Sequence, residues 1–289
     1  MGHLNIIGAG RLGRTLGRLW QEGGTFQIQS VYNRSPASAL AAIEFIGAGQ
    51  VARSIASMPK ANYWLIACTD SEIANVAQQL AQTGLVDDQA IVFHCSGALS
   101  SEVLTPLKPA SVASAHPVHS FAKPEYSLGT FAGSSVTLEG DNPAVERLAN
   151  IFTAIDGETL AIDPESKSLY HAGSVIASNY LTTLMDLSLQ SFAAAGIERD
   201  NALRLLTPIV MQTVENNMAL GPEKSLTGPI ARGDLETVEA QVESLTAVDD
   251  QLAVCYRHLG LACVKLARRG PLSKESAAKL IELLSEPTR

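Results

Sequence analysis

Short β-branched runs alternate with amphipathic stretches over the first half of the chain, and only the amphipathic pattern continues through the second half. HLNIIG, QIQSVYN, YWLIACT, AIVFHCS, SVASAHP, SSVTLEG and ETLAID read as strands. Between them RLGRTLGRLWQ, SPASALAAIEFI, SEIANVAQQLAQ, SSEVLTPL and PAVERLANIFTAI place apolar residues at helical spacing. This alternation predicts an α/β unit, doubly wound, with a mostly parallel sheet covered by helices on both faces.

The pattern changes after residue 163. Asp163 as N-cap, Pro164 in the first helical position and Glu165 in the first turn mark a helix start. Helices are predicted near 164–195, 199–219, 234–247, 249–268 and 273–285, the first stopped by Gly196. The expected organisation is therefore a sheet domain over 1–163 and an all-helical domain over 164–289, packed closely with a cleft between them.

Composition narrows the function classes. The 289 residues carry a formal net charge of −8, and no Lys/Arg block exceeds two residues. Nucleic acid is thus not an expected partner, because phosphate backbones require a concentrated basic surface. The N-terminal MGHLNIIGAG starts structure without the features of a signal peptide, and no apolar run has the ~20 residues of a membrane span. Cys68, Cys95, Cys255 and Cys263 have no metal-type spacing and read as reduced thiols of a cytoplasmic protein.

Candidate chemistry begins at NIIGAGRLGRTLG, where Gly8, Gly10 and Gly13 follow a strand and open a helix. The first glycine permits a tight turn, the second lets backbone approach a pyrophosphate, and the third lets helix and strand pack closely. The helix start at Arg11 and Leu12 then offers unpaired N–H groups to the anion. This is a dinucleotide-binding, Rossmann-type signature. The second strand ends in VYNRSPAS, with Asn33, Arg34 and Ser35 where NAD binders place a carboxylate. A guanidinium there favours the 2′-phosphate of NADP, although Ser35 also suits a helix cap before Pro36.

Ligands of open parallel sheets bind beyond the carboxyl ends of the strands. Those ends carry Thr69-Asp70, His94-Cys95-Ser96-Gly97 and His116-Pro117-Val118-His119. Thr69 and Ser96 are candidate cofactor contacts and His116 a candidate substrate contact. A metal held by His94, His116, His119 and His171 is not expected, for no carboxylate or thiolate completes it. In KSLYHAGSVIASNY, helical geometry puts Lys167, Tyr170, His171, Ser174 and Ser178 on one face, with Asn179 about 100° round. Hydride delivery to C=O or C=N leaves an atom that needs a proton, so His171 or Lys167 is the candidate acid–base group, with Tyr170 and Asn179 orienting. In SLTGPIARGD, Arg232 could hold a substrate carboxylate, while Asp234 suits a helix cap.

GAGRLG, HCSGALSSEVL, SAHPVHSFA, YHAGSVIASNYL and LTGPIARGD resemble a group of Rossmann-like proteins carrying a C-terminal domain of unknown function. The wider superfamily includes ketopantoate reductase, pyrroline-5-carboxylate reductase and the β-hydroxyacid dehydrogenases. The resemblance implies NADP bound at Gly8, Gly10, Gly13 and Arg34, and a homodimer built through the helical domains. In the β-hydroxyacid dehydrogenases a Lys is followed four residues later by Asn; here Lys167 is followed by His171. The expected activity is NADP(H)-dependent oxidoreduction of a small, anionic carbonyl, hydroxy or imine compound in the interdomain cleft. The alternative is a non-catalytic NADP(H)-binding redox sensor.

Overall fold

The computed structural model describes residues 2–285. Its first half contains β1 (Gly2–Ile7), α1 (Arg11–Glu22), β2 (Phe26–Tyr32), α2 (Pro36–Ile46), β3 (Gln50–Val51), β4 (Tyr63–Ile66) and α3 (Asp70–Gln82). Then come β5 (Ile91–His94), β6 (Ser111–Pro117), α4 (Pro124–Thr130), β7 (Ser135–Gly140), α5 (Asn142–Thr153) and β8 (Glu158–Ala161). All seven predicted strands are present. The two-residue β3 is too short to show a periodicity, and α4 starts at a proline in a stretch without an apolar stripe. SSEVLTPL forms a 3-10 helix, Ser101–Leu107, and holds Pro106, which has no N–H to donate.

The strands form one sheet in the order β3-β2-β1-β4-β5-β6-β7-β8, parallel except for the β6–β7 pair. Alternation along the strands sends side chains to two cores. Leu4, Ile6, Leu65 and Phe93 pack with Leu16 and Trp20 of α1 and Leu148 and Phe152 of α5. Ile7, Trp64, Ile66 and Val92 pack on the other face with Ile73, Ala77 and Leu80 of α3. Both faces of the central strands are therefore buried, as a parallel sheet demands, while the edge strand β8 is exposed along its length. The chain order reverses at β1, between β2 and β4, and that reversal opens a crevice at the strands' carboxyl ends.

The second half is helical: α6 (Lys167–Ala194), α7 (Arg199–Leu220), α8 (Pro222–Ser225), α9 (Pro229–Arg232), α10 (Leu235–Thr246), α11 (Asp250–Ala267) and α12 (Lys274–Ser285). Asp163 accepts a hydrogen bond from the Glu165 amide in the 3-10 turn before α6, and Asp234 caps α10 through the Thr237 amide. Gly196, with φ of +79°, follows the end of α6. Contacts divide the chain into two compact units, Met1–Asn179 and Tyr180–Arg289, and the division falls inside α6. The second unit has its own core, in which Val238, Val242, Val264 and Leu280 meet. No helix among the described residues is long and apolar enough to cross a membrane.

Candidate active site

The crevice at the sheet's reversal is a pocket of about 370 Å³ lined by Gly8, Gly10, Asn33, Arg34, Ser35, Ser38, Cys68, Thr69 and Glu72, among others. Its glycines are fixed by geometry. Gly8 has φ of +91°, and a Cβ there would lie 2.5 Å from the Cys68 amide nitrogen. A Cβ on Gly10 would meet nothing within 4 Å, so the space above it is open. A Cβ on Gly13 would press on the Gly8 carbonyl and Ala67. Gly10 is also the N-cap of α1 and no side chain caps that helix, so the first-turn N–H groups, Arg11 and Leu12 among them, face out of its end. Leu12 packs against the core, and Arg11 is exposed. A turn that admits only glycine, open space over the second glycine and an uncapped positive helix end fit a dinucleotide pyrophosphate.

The three residues after β2 do different work. The Asn33 side chain accepts from the Ala9 amide (2.7 Å) and donates to Ser38 Oγ (2.9 Å), tying the glycine turn to α2. Ser35 caps α2, its Oγ accepting from the Ser38 amide at 3.4 Å. Arg34 is exposed, lines the pocket and forms no ion pair among the described residues. It is the cation on this lining, and Glu72 is the carboxylate. Thr69 lies at the start of α3, 3.4 Å from Ser71 Oγ. Burial pushes the neighbouring Cys68 thiol up to about 11, so it stays protonated.

A second pocket, about 190 Å³, lies wholly within the first unit. His116, His119, Ser120, His171, Ser174, Ser178 and Asn179 supply its polar lining, which contains no lysine, arginine or carboxylate. Tyr170 and His116 meet behind it: the Tyr170 hydroxyl is 2.9 Å from His116 Nδ1 and accepts from Thr137 Oγ1 at 3.1 Å. Burial, then the nearby His171 and Lys167, bring His116 down to about 4, so the ring is neutral at physiological pH.

His171 stands at right angles to His116, with ring centroids 5.5 Å apart. Between them is Gly97, where a Cβ would lie 2.4 Å from His171 Nδ1 and 2.8 Å from His116 Nε2. His171 Nδ1 is buried without a hydrogen-bond partner. His119 is spent on its loop: it lies 3.0 Å from Ser134 Oγ and 3.4 Å from Thr130 Oγ1.

Lys167 is not on this lining. It is 1% exposed, and its ammonium donates to Ser114 Oγ (2.6 Å) and the Ser96 carbonyl (3.2 Å), with Glu139 at 3.5 Å. Three partners occupy its three donors, and burial lowers its pKa while Glu139 opposes that shift. Glu139 itself accepts from the Ser101 amide (2.8 Å) and hydroxyl (2.7 Å). Ser96 is equally committed: its Oγ donates to Asp70 and accepts from the Ala98 and Leu99 amides. His94 is buried, accepting from the Ser96 amide on Nδ1 and pairing Nε2 with the Ser100 carbonyl. Among the described residues no group of three metal-ligating side chains converges. Arg232 ends α9 in the second unit. Glu72, Ser114, Thr137 and Glu139 are among the site residues that the sequence reading did not single out.

Residues 2–117 match a Rossmann-like domain, and residues 134–263 match a domain of unknown function, DUF2520. No curated protein matches the chain. Among solved structures, BF3122 of Bacteroides fragilis, provisionally named an NADP oxidoreductase, is similar with a TM-score of 0.79 at 19% identity over 93% of this chain and 98% of its own. Protein TM1727 of Thermotoga maritima gives 0.71 at 28% identity, over 92% and 98%. Pyrroline carboxylate reductase of Plasmodium falciparum, solved with NADP bound, gives 0.61 at 11% identity, over 98% of each chain. The chain thus joins a Rossmann-like domain to a DUF2520 domain, in a fold it shares with these proteins along nearly its whole length.

Proposed function

We propose that the protein is an NADP(H)-dependent oxidoreductase acting on a small carbonyl, hydroxy or imine compound. The observation that carries this reading is the pairing of His116 and His171 across Gly97, in the unit that also holds a pyrophosphate cradle. Gly8, Gly10 and the first turn of α1 would hold the pyrophosphate, and Arg34 the 2′-phosphate. NADPH, when bound, supplies the hydride. The chain's own part is the proton and the geometry. The His171 imidazole donates a proton to the oxygen or nitrogen that becomes negative, and in the reverse direction accepts one from it. The contacts from Thr137 through Tyr170 fix the His116 ring, which orients the substrate. Ser174, Ser178 and Asn179 bound the pocket and set its size. Its uncharged lining suits a small polar substrate and does not require an anionic one. The NADP(H)-linked neighbours of the same fold agree with the reading.

We infer also that two copies associate through α6 and α7. Of the 28 residues of α6 only Lys167 is buried, and α7 buries only Ala202 and Leu206. Leu181, Leu184, Met185, Ile209, Val210 and Val214 line an apolar groove of about 280 Å³ in the second unit. A helix this apolar on several faces needs a cover. Leu181, Leu184 and Ile209 on this groove are exposed, which leaves an apolar face for a second copy to cover.

The activity is tested by following NADPH oxidation against a panel of small aldehydes, keto acids and cyclic imines, with wild type and His171→Ala. Turnover in the wild type that falls about 100-fold or more in the variant, with NADPH still bound, is expected. Undiminished turnover in His171→Ala would remove that residue from the chemistry. NADPH binding without turnover, but with a conformational response to its oxidation state, would favour the sensor.

A further inference from the structure

The pocket rests on a second, buried layer with the same spacing. In the antiparallel β6–β7 ladder His116 pairs with Thr137, and two residues away Ser114 pairs with Glu139. Two residues of a strand advance ~6.7 Å. On α6, Lys167 precedes Tyr170 by three residues and His171 by four, an advance of ~4.5–6 Å along the axis. The periods nearly match, so one helix serves both rungs. Tyr170 bonds to the His116–Thr137 rung, and Lys167 to the Ser114–Glu139 rung.

The third partner of Lys167 links the layers. Its ammonium holds the Ser96 carbonyl, which also accepts from Ser114 Oγ at 3.3 Å. That carbonyl belongs to the peptide leading into Gly97, the residue wedged between His116 and His171. A planar peptide passes its orientation on to the next Cα. Fixing the Ser96 carbonyl therefore fixes how far Gly97 stands from both rings. The Ser96 side chain, held by Asp70 and two amides, resists rotation from the other side.

We propose that Lys167 is a positioning residue: with Glu139 as counter-ion it locks the Ser96–Gly97 peptide and so sets the separation and orientation of His116 and His171. The assignment of those two rings as the chemical pair rests on the proposed oxidoreductase activity; their positioning does not. A lysine so placed leaves proton transfer to His171. Burial first, then His171 and the Lys167 charge one rung below, hold His116 neutral; His94 on β5 adds to this and Asp70 on α3 opposes it, while Tyr170 on α6 and Glu139 on β7 are the other polar groups beside it.

The test is imidazole nitrogen NMR on the full chain without cofactor, in wild type, Lys167→Met/Glu139→Gln and Ser114→Ala, with Lys60→Met as a surface control. The double variant removes both charges together, which a core tolerates far better than the loss of one, and glutamine keeps an acceptor for Ser101. Expected are a folded protein and displaced His116 and His171 signals. Ser114→Ala should displace the same signals by less, and Lys60→Met should displace neither. NADPH affinity should stay within about two-fold of wild type, because the dinucleotide pocket shares none of these residues. Unmoved His116 and His171 signals in a folded double variant would overturn the proposal. If that variant does not fold, unmoved signals in Ser114→Ala would do so. Absence of NADPH turnover in the wild type would instead count against the oxidoreductase and leave this result standing.

Discussion

Replacing Gly97 by alanine places one methyl group between the two histidines. The added Cβ would lie 2.4 Å from His171 Nδ1 and 2.8–2.9 Å from two atoms of His116, where ordinary contact is 3.4–4 Å. His171 must then retreat by about 1 Å and His116 by about half that. His116 is tethered by its 2.9 Å bond to Tyr170, so its retreat strains or breaks that bond, a loss of about 1 kcal/mol. Overpacking adds roughly 1–2 kcal/mol. The total, about 2–3 kcal/mol, corresponds to a fall in Tm of roughly 3–5 °C for a chain of this size. The functional effect should be larger, since a misplacement of about 1 Å at a reacting group costs on the order of 100-fold in rate. Thermal unfolding and NADPH-linked turnover, measured on the same preparation, separate the two effects. NADPH affinity should not change. Turnover within about three-fold of wild type at a temperature where the variant is folded would refute the placement of both rings around Gly97.

The remaining predictions concern pH and assembly. His94 and His116 are each lowered to about 4 by burial, so both are neutral in the fold at pH 7 and gain protons only on unfolding. For a depressed histidine the unfolded chain binds the extra proton between the two pKa values, so stability is full above about pH 6.5 and declines as pH falls toward 4. Between pH 6.5 and 5 each histidine should cost roughly 2 kcal/mol in urea unfolding. His116→Gln should remove about half of that decline, and a flat profile for wild type would contradict the burial of both rings. For the helical face, light scattering should give twice the chain mass for wild type, and Leu184→Glu/Ile209→Glu should shift the protein toward the monomer. A wild-type monomer at micromolar concentration would rule out this interface.

Much of the architecture was legible because its causes are local. The β-branched runs, Gly8-x-Gly10-x-x-Gly13 and the caps Asp163, Ser35 and Asp234 each act within a few residues, and each element formed where its pattern lies. The glycine turn and Arg34 could be placed for the same reason. The second pocket was only partly legible. His116, Tyr170 and His171 could be singled out by residue type, but which polar groups face one another depends on register between β6, β7 and α6. Lys167 therefore read as a proton donor, although three buried partners occupy it. Glu139 left one usable sign. In SVTLEG, Val136 and Leu138 face one core, so Glu139 shares the opposite face with Thr137. In a sheet covered on both sides a carboxylate there must be buried and needs a cation. Lys167, opening an otherwise apolar helix, was the available one.

The account depends most directly on the dinucleotide pocket, and calorimetric titration of NADPH and NADH into wild type and Arg34→Ala tests it. A guanidinium–phosphate contact is worth about 1.5–3 kcal/mol. Wild type should therefore bind NADPH roughly 10–100-fold more tightly than NADH, and Arg34→Ala should lose that preference while keeping its NADH affinity. If neither nucleotide binds the wild type, the glycine turn is architecture alone and the proposed oxidoreductase falls with it.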